Sequence, residues 1–225
     1  MRLLKTGKTK DVYELEDGTL LLKFKDDATV GEDGKLDPGG NTVGASIEGL
    51  GMASLRMTKY FFEKINASGV FTHYIDCDPR EATMTVRRAD FFGKGVEVIC
   101  RLKAVGSFIR RYGDYCFEGQ DLDFLVETSL KDDAKGDPMI TADALEMLGI
   151  MSVSDYEYIK ALTKRITAVI RDDLAVKGLA LYDMKIEFGK IDGAIALIDE
   201  ISSGSMRVYK DGEWMQSLEL DEYFS

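Results

Sequence analysis

The chain has 225 residues, 45% of them apolar and 31% charged, with a formal net charge of -11. That suits one large domain or two lobes with the balance of a soluble globular protein, and the acidity argues against a broad basic face for nucleic acid. The single histidine, His73, nearly excludes zinc chemistry and Ser-His-Asp triads. Cys77, Cys100 and Cys116 form no CxxC and read as reduced thiols, with Cys100 in the core. Apolar runs are too short to span a membrane and MRLLKTGKTK lacks signal-peptide features, so the expected location is cytoplasmic. Any catalysis must rest on carboxylates, Lys, Arg, backbone amides and a hard cation.

In chain order, Gly7-Lys8-Thr9 resembles a P-loop only superficially. Arg2 stands where that loop needs glycine, and a hairpin follows instead of a helix. The segment reads as a turn whose Lys8 and Lys10 lie over phosphates, or as an ordinary basic turn. Residues 11 to 25 read as two strands around Glu16-Asp17-Gly18. Residues 26 to 51, rich in Gly and Asp, read as a long loop. A helix is expected from about Ala53 to Asn66, burying Leu55, Phe62 and Ile65 and stopped by Gly69. Strands follow over 70 to 104. Within them Glu97 to Arg101 alternate, and Gly106-Ser107 opens the short helix FIRRYG. That helix start is either an anion site toward which Arg101 points or a plain cap. The charged run from Lys131 to Pro138 reads as a loop. Ser154-Asp155-Tyr156-Glu157 reads as a capping box, followed by Ile159, Leu162, Ile166, Val169/Ile170 and Leu174 at helical spacing and Gly178 at C′.

The stretch from Leu181 to Arg207 reads as a hairpin. Asp183, Lys185 and Glu187 share one face, and Met184, Ile186 and Phe188 the other. A turn over Gly189 to Gly193 with pairing centred near Ile191 sets Asp199 opposite Asp183, a destabilising juxtaposition. Two readings offset it. Glu187 and Asp199 hold Mg²⁺ while Lys185 meets a nucleotide phosphate, or the acids and lysine form an exposed, internally paired ladder. A β-rich lobe over 1–90 then meets an α+β lobe over 91–225, with the cleft between them as the natural ligand site.

Together these segments resemble the SAICAR synthetase family. GKTKDVYE is similar to its GKxKxxY, and EVICRLKAVGSFIRRYG to ExxxRxxxxGSxxxR. KDDAKGDPMI is similar to KxDxxxDP, and LYDMKIEFG with LIDEISSGSMR to DxKxEFG and DEIxxxxxR. The resemblance implies an α+β, two-lobed, kinase- or ATP-grasp-like fold with ATP in the cleft. It implies a ligase that joins carboxyaminoimidazole ribotide to L-aspartate, with ATP and Mg²⁺ and no nucleic-acid or membrane partner, and it leaves room for a homo-oligomer. By the resemblance, Lys8, Thr9, Lys10 and Val12 cover ATP, and Val86, Arg87, Arg88 and Ala89 form the adenine edge. Lys185 meets phosphate, Glu187 and Asp199 hold Mg²⁺, and Asp183 sits beside them. Arg101, Ser107 and Arg207 hold the ribotide, and Lys131 and Asp137 lie near the reacting carboxylate or the amine.

The chain departs from the family pattern in three places. Gly204 replaces an acid, Gly49-Leu50-Gly51 lacks the lysine of GKG, and many members continue beyond the position of Ser225. An amide ligase with another amine or carboxylate, and a nucleotide-binding module without catalysis, are the competing readings.

Overall fold

The computed structural model describes residues 1–31, 37, 40 and 42–224. The order is β1 (Arg2–Thr6), β2 (Lys10–Glu14), β3 (Leu20–Phe24), β4 (Asp27–Val30), β5 (Thr42–Ser46), α1 (Leu50–Ala67), β6 (Tyr74–Asp78), β7 (Thr83–Val86), β8 (Asp90–Phe91) and β9 (Val96–Lys103). Then come α2 (Ser107–Tyr112), β10 (Asp121–Leu130), a 3₁₀ turn at Asp133–Lys135, α3 (Ala142–Met147), α4 (Val153–Val176), β11 (Ala180–Ile191), β12 (Ala194–Ile198), β13 (Met206–Lys210), β14 (Glu213–Trp214) and α5 (Ser217–Asp221). No described helix is long and apolar enough to cross a membrane.

The chain divides into two units, Met1–Ala89 with Glu200–Ser205 and Met215–Ser225, and Asp90–Asp199 with Met206–Trp214. In the first, five strands lie in the order β1-β2-β3-β7-β6. Helix α1 packs on β3, β4, β6 and α5. It buries Leu55, Met57, Phe61, Phe62 and Ile65 completely, each burial stabilising by about 1.5–3 kcal/mol. Gly51 is required where α1 starts. A Cβ there would come 3.0 Å from the backbone of Lys25, and its N–H donates to Asp26 Oδ1 at 2.9 Å. The expected loop over 26 to 51 in fact contains the antiparallel pair β4–β5, and positions 32–36, 38–39 and 41 of that expectation lie outside the described residues. The alternation in DATV and TVGAS is too short to stand out from the surrounding Gly and Asp.

In the second unit the sheet runs β10-β9-β11-β13-β14, with β8 and β12 also paired to β11. Helix α4 packs across β9, β10 and β11 through Ile159, Leu162, Ile166, Ile170 and Leu174. Strand β10 went unforeseen. Its DLDFLVETSL alternates, but acids and turn residues surround it.

Two local expectations are corrected. The cap of α4 is Ser152, whose Oγ accepts from Asp155 N at 3.1 Å, so the helix begins two residues before the expected box. The β11–β12 turn is the two-residue Asp192-Gly193, with φ of 51° and 80°, tighter than the expected Gly189–Gly193 turn. Positive φ at both central positions fits the strand twist, and Asp-Gly favours it. Glu187 therefore faces Ile198, and Asp199 does not face Asp183.

Replacing Ser152 by Ala should lower stability by about 1 kcal/mol in urea unfolding, while Ser154→Ala should stay within about 0.5 kcal/mol. Equal losses in the two variants would contradict the cap.

Candidate active site

The site is a face of the second sheet, and strand register decides which residues share it. Asp183 lies opposite Arg101 on β9 and Arg207 on β13. Lys185 faces Ile99, Glu187 faces Glu97, and on β10 Glu127 faces Ile99 and Ser129 faces Glu97. Directly opposed residues lie on the same face. One face thus carries Arg101, Arg207, Asp183, Lys185, Glu187, Glu97 and Glu127, while Cys100, Met184 and Ile186 turn to the side packed by α4. Opposition of like charges does occur here, at Glu97 and Glu187 rather than at Asp183 and Asp199.

Two clusters occupy this face. In the first, Arg101 is only 2% exposed. Its Nη1 donates to Asp183 Oδ2 at 2.7 Å, its Nε to Glu127 Oε2 at 2.6 Å and its Nη2 to Ser107 Oγ at 2.9 Å. Arg207 Nη1 donates to both oxygens of Asp183, at 3.0 and 2.8 Å, and Arg111 Nη2 to both oxygens of Glu127 at 2.7 Å. Three arginines against two carboxylates leave one formal positive charge. Removing Asp183 or Arg101, both only 2% exposed, would break a buried ion pair at a cost of about 3–5 kcal/mol.

Gly106 fits this cluster sterically. With φ at 55°, a Cβ there would stand 2.7 Å from the Arg207 guanidinium carbon. Helix α2 then starts at Ser107 without a side-chain cap hydrogen bond.

In the second cluster, Lys131 Nζ donates to Glu187 Oε1 at 2.5 Å and Lys185 Nζ to Glu97 Oε1 at 2.7 Å, while Ser129 Oγ donates to Glu97 Oε2 at 3.2 Å. Burial opposes the charge on Lys131, yet Asp199, Glu187 and Glu97 outweigh it and raise its ammonium above the usual lysine range. Burial opposes Lys185 too, and Glu97 and Glu187 raise it. Burial pushes the Glu187 carboxyl up, and so does Asp199, against the pull of Lys131 and Lys185. Glu97, Glu187 and Asp199 exceed Lys131 and Lys185 by one formal negative charge. A buried carboxylate held above its ordinary range gains from a further cation. The described residues hold no group of three or more His, Cys, Asp or Glu that would cage a metal on its own. Magnesium needs only one or two carboxylates when substrate phosphates complete its shell.

The alternative of an exposed, internally paired ladder does not hold. Asp183 and Glu187 are 2% and 3% exposed, and their partners come from other strands and from Lys131. Strand spacing cannot reveal this, because the partners lie about 25 to 90 residues away in sequence.

Lys8 and Thr9 form the β1–β2 turn, closed by Gly7 N–H donating to Lys10 O at 2.8 Å. Lys10 Nζ pairs with Glu200 Oε1 at 2.8 Å, and Val12 lies half-buried on β2. Val86 ends β7 and is 1% exposed. Arg87 Nη1 donates to the carbonyls of Thr72 and Tyr74, Arg88 pairs with Glu14, and Ala89 is half-buried. Asp137 has φ of 50°, and its Oδ1 accepts from Asp132 N at 2.8 Å, which shapes the loop after Lys131. At Gly204 a Cβ would lie 3.3 Å from Ser202 Oγ. Glu97, Glu127, Arg111 and Glu200 belong to these networks and were missed. Alternation with Arg101 pointed to Glu97, and the ExxxRxxxxGSxxxR spacing contains both Glu97 and Arg111.

Residues 3–222 match the family model described as SAICAR synthetase. A phosphoribosylaminoimidazole-succinocarboxamide synthase from Clostridium tetani (strain Massachusetts / E88) is 57% identical over 224 residues, 99% of this chain and 98% of that protein. One from Methanoculleus marisnigri (strain ATCC 35101 / DSM 1498 / JR1) is 34% identical over 223 residues, covering 98% and 87%. A solved SAICAR synthetase in complex with ADP aligns with a TM-score of 0.83 at 31% identity, over 97% of this chain and 88% of that one. Fold and sequence define an ATP-dependent ligase. The chain belongs to the SAICAR synthetase family.

Gly106→Ala should cost about 1–3 kcal/mol, because its backbone region is reserved for glycine and its Cβ meets Arg207. Gly119→Ala, with φ of 81° but nothing within 4 Å, should cost about 1 kcal/mol. Urea unfolding of both variants measures the difference, and equal costs would contradict the Arg207 contact.

Proposed function

We propose that the chain condenses carboxyaminoimidazole ribotide with L-aspartate while ATP is cleaved to ADP and phosphate. The observation that carries the mechanism is the division of charge on one sheet face. The Arg101–Asp183–Arg207 end has a surplus positive charge, which suits the ribotide phosphate, and Ser107 Oγ beside it adds a hydroxyl. At the Lys131–Glu187–Lys185–Glu97 end, burial and Asp199 push the Glu187 carboxyl up, which suits a cation that carries nucleotide phosphates.

In this reading Glu187 and Asp199 hold Mg²⁺, which would spread the charge of the transferring phosphoryl group. Lys185 meets a phosphate of ATP. In the first unit, Lys8, Thr9, Lys10 and Val12 cover the nucleotide, and Val86, Arg87 and Ala89 supply the adenine edge. The cytoplasm is the corresponding compartment.

A carboxylate is a poor acyl donor. Transfer of the γ-phosphoryl group to the ribotide carboxylate gives an acyl phosphate and ADP. The aspartate amine then attacks that carbon, phosphate leaves, and one amine proton departs. Phosphoryl transfer of this kind depends on positioning and charge stabilisation. Lys131 is kept cationic by three carboxylates and so can steady the reacting carboxylate. Asp137 takes the amine proton. No histidine is required.

ADP release should need Mg-ATP, the ribotide and L-aspartate together, with the succinocarboxamide product seen by mass. Release indifferent to aspartate would refute the amine assignment. Glu187→Gln and Asp199→Asn should each cut Mg-ATP turnover by about two orders of magnitude with a cooperative melt retained; wild-type turnover in both would remove the metal assignment. In Asp137→Asn the side-chain carbonyl can still accept the loop bond from Asp132 N, and Asn tolerates the left-handed backbone. Its kcat should therefore fall about 100-fold with the KM for ATP unchanged. An unaltered kcat would exclude Asp137 as the base.

A further inference from the structure

We propose that Glu127 is a positioning residue for the anionic substrate, acting through Arg101 and Arg111 without touching the substrate. The inference rests on the reading of Arg101, Ser107 and Arg207 as the ribotide groups.

Glu127 sits on β10, outside every segment that suggested function from the sequence. Its side chain is 10% exposed, and both its oxygens are engaged. Oε2 takes Arg101 Nε at 2.6 Å and Arg111 Nη2 at 2.7 Å, while Oε1 takes Arg111 Nη2 at 2.7 Å. The two arginines it joins hold the two ends of α2. Arg101 donates to Ser107 at the first helical position and lies 5.6 Å over the ring of Phe108 at the second. Arg111 belongs to the last turn.

A six-residue helix is too short to be stable by itself, since nucleation costs more than so few bonds return. Its start lacks a side-chain cap hydrogen bond, and none of its residues is buried. Among the described contacts, the Arg101–Ser107 hydrogen bond and the Arg111–Glu127 ion pair tie it to the sheet, and Glu127 holds Arg101 in turn. The carboxylate therefore fixes where Ser107 Oγ points and which edge of the Arg101 guanidinium faces Asp183.

Charge and geometry make opposite demands at this position, so the two can be separated. If Glu127 only neutralised charge, its removal would raise the formal charge of the cluster from +1 to +2 and tighten anion binding. If it positions the arginines and α2, removal loosens the anion site despite the added positive charge.

The test compares wild type, Glu127→Gln and Glu127→Asp by kcat, by KM for ribotide and for ATP, and by thermal melt. Glu127→Gln should raise the ribotide KM at least about tenfold, the loss that follows from a charge-assisted hydrogen bond, and change the ATP KM less than about twofold. Glu127→Asp, shorter but still charged, should recover part of the ribotide affinity. An unchanged or lowered ribotide KM in Glu127→Gln would overturn the proposal, as would an equal rise in both KM values. If Glu127→Gln gives no cooperative melt, Arg111→Gln removes the outer tie alone. It should raise the ribotide KM several-fold, and a wild-type value would equally overturn the proposal. A wild-type enzyme that releases no ADP with ribotide and aspartate would instead refute the ligase reading itself, which keeps the two failures apart.

Discussion

A carboxylate in the middle of a sheet, Asp183, is clamped by arginines from the strands on either side, and the second unit is organised around that contact. Arg101 comes from β9 and Arg207 from β13, and both bond the same side chain at 2.7 to 3.0 Å. The desolvation penalty of burying these charges is severe, and only full pairing offsets it. Full pairing constrains register, because a one-residue slip of either neighbour would send its arginine to the α4 face. The ion triad is thus better understood as a registration device than as a source of stability. The stability of this unit comes from the opposite face, where Ile166, Ile170 and Leu174 of α4 are completely buried.

Further along the same strands the balance tips the other way. Glu97 and Glu187 oppose each other directly, which a sheet ordinarily avoids. Two lysines reduce the repulsion, one from the neighbouring position on β11 and one from the loop after β10. With Asp199 counted, three carboxylates act on these two lysines. A protein built only to be stable would have filled these positions with apolar residues. Their retention at the centre of a sheet agrees with the ligase chemistry of the family.

Much of this was legible in the sequence where local rules apply. The alternation of Asp183, Lys185 and Glu187 with Met184, Ile186 and Phe188 assigns the two faces of β11, because side-chain direction in a strand follows position alone. Leu55, Phe62 and Ile65 on α1 were legible from helical spacing, and all are completely buried. Pairing partners were not legible. Whether Asp183 meets Asp199 or Arg101 depends on a turn of two residues rather than five and on which strands flank β11. Glu127 was hidden for the same reason. Its strand reads as a charged, weakly alternating stretch, and its significance comes from Arg101, which is 26 residues away in the chain. The cap at Ser152 shows the local counterpart, since Ser152 and Ser154 both offer a hydroxyl and only backbone geometry chooses between them.

The path of the backbone between the two units has a consequence for modularity. The chain passes from one to the other at 89/90, 199/200, 205/206 and 214/215. The short returns are not decoration. Ile201 offers its carbonyl to Thr58 Oγ1 of α1, and Asp221 pairs with Arg56. Lys10 on β2 finds its carboxylate at Glu200, immediately after the residue that ends the second unit's hairpin. A gene fragment ending after the first 89 codons would therefore lack Glu200, Ile201 and Asp221, which bond Lys10, Thr58 and Arg56. Neither unit is one continuous stretch of chain, so no single cut in the gene separates them.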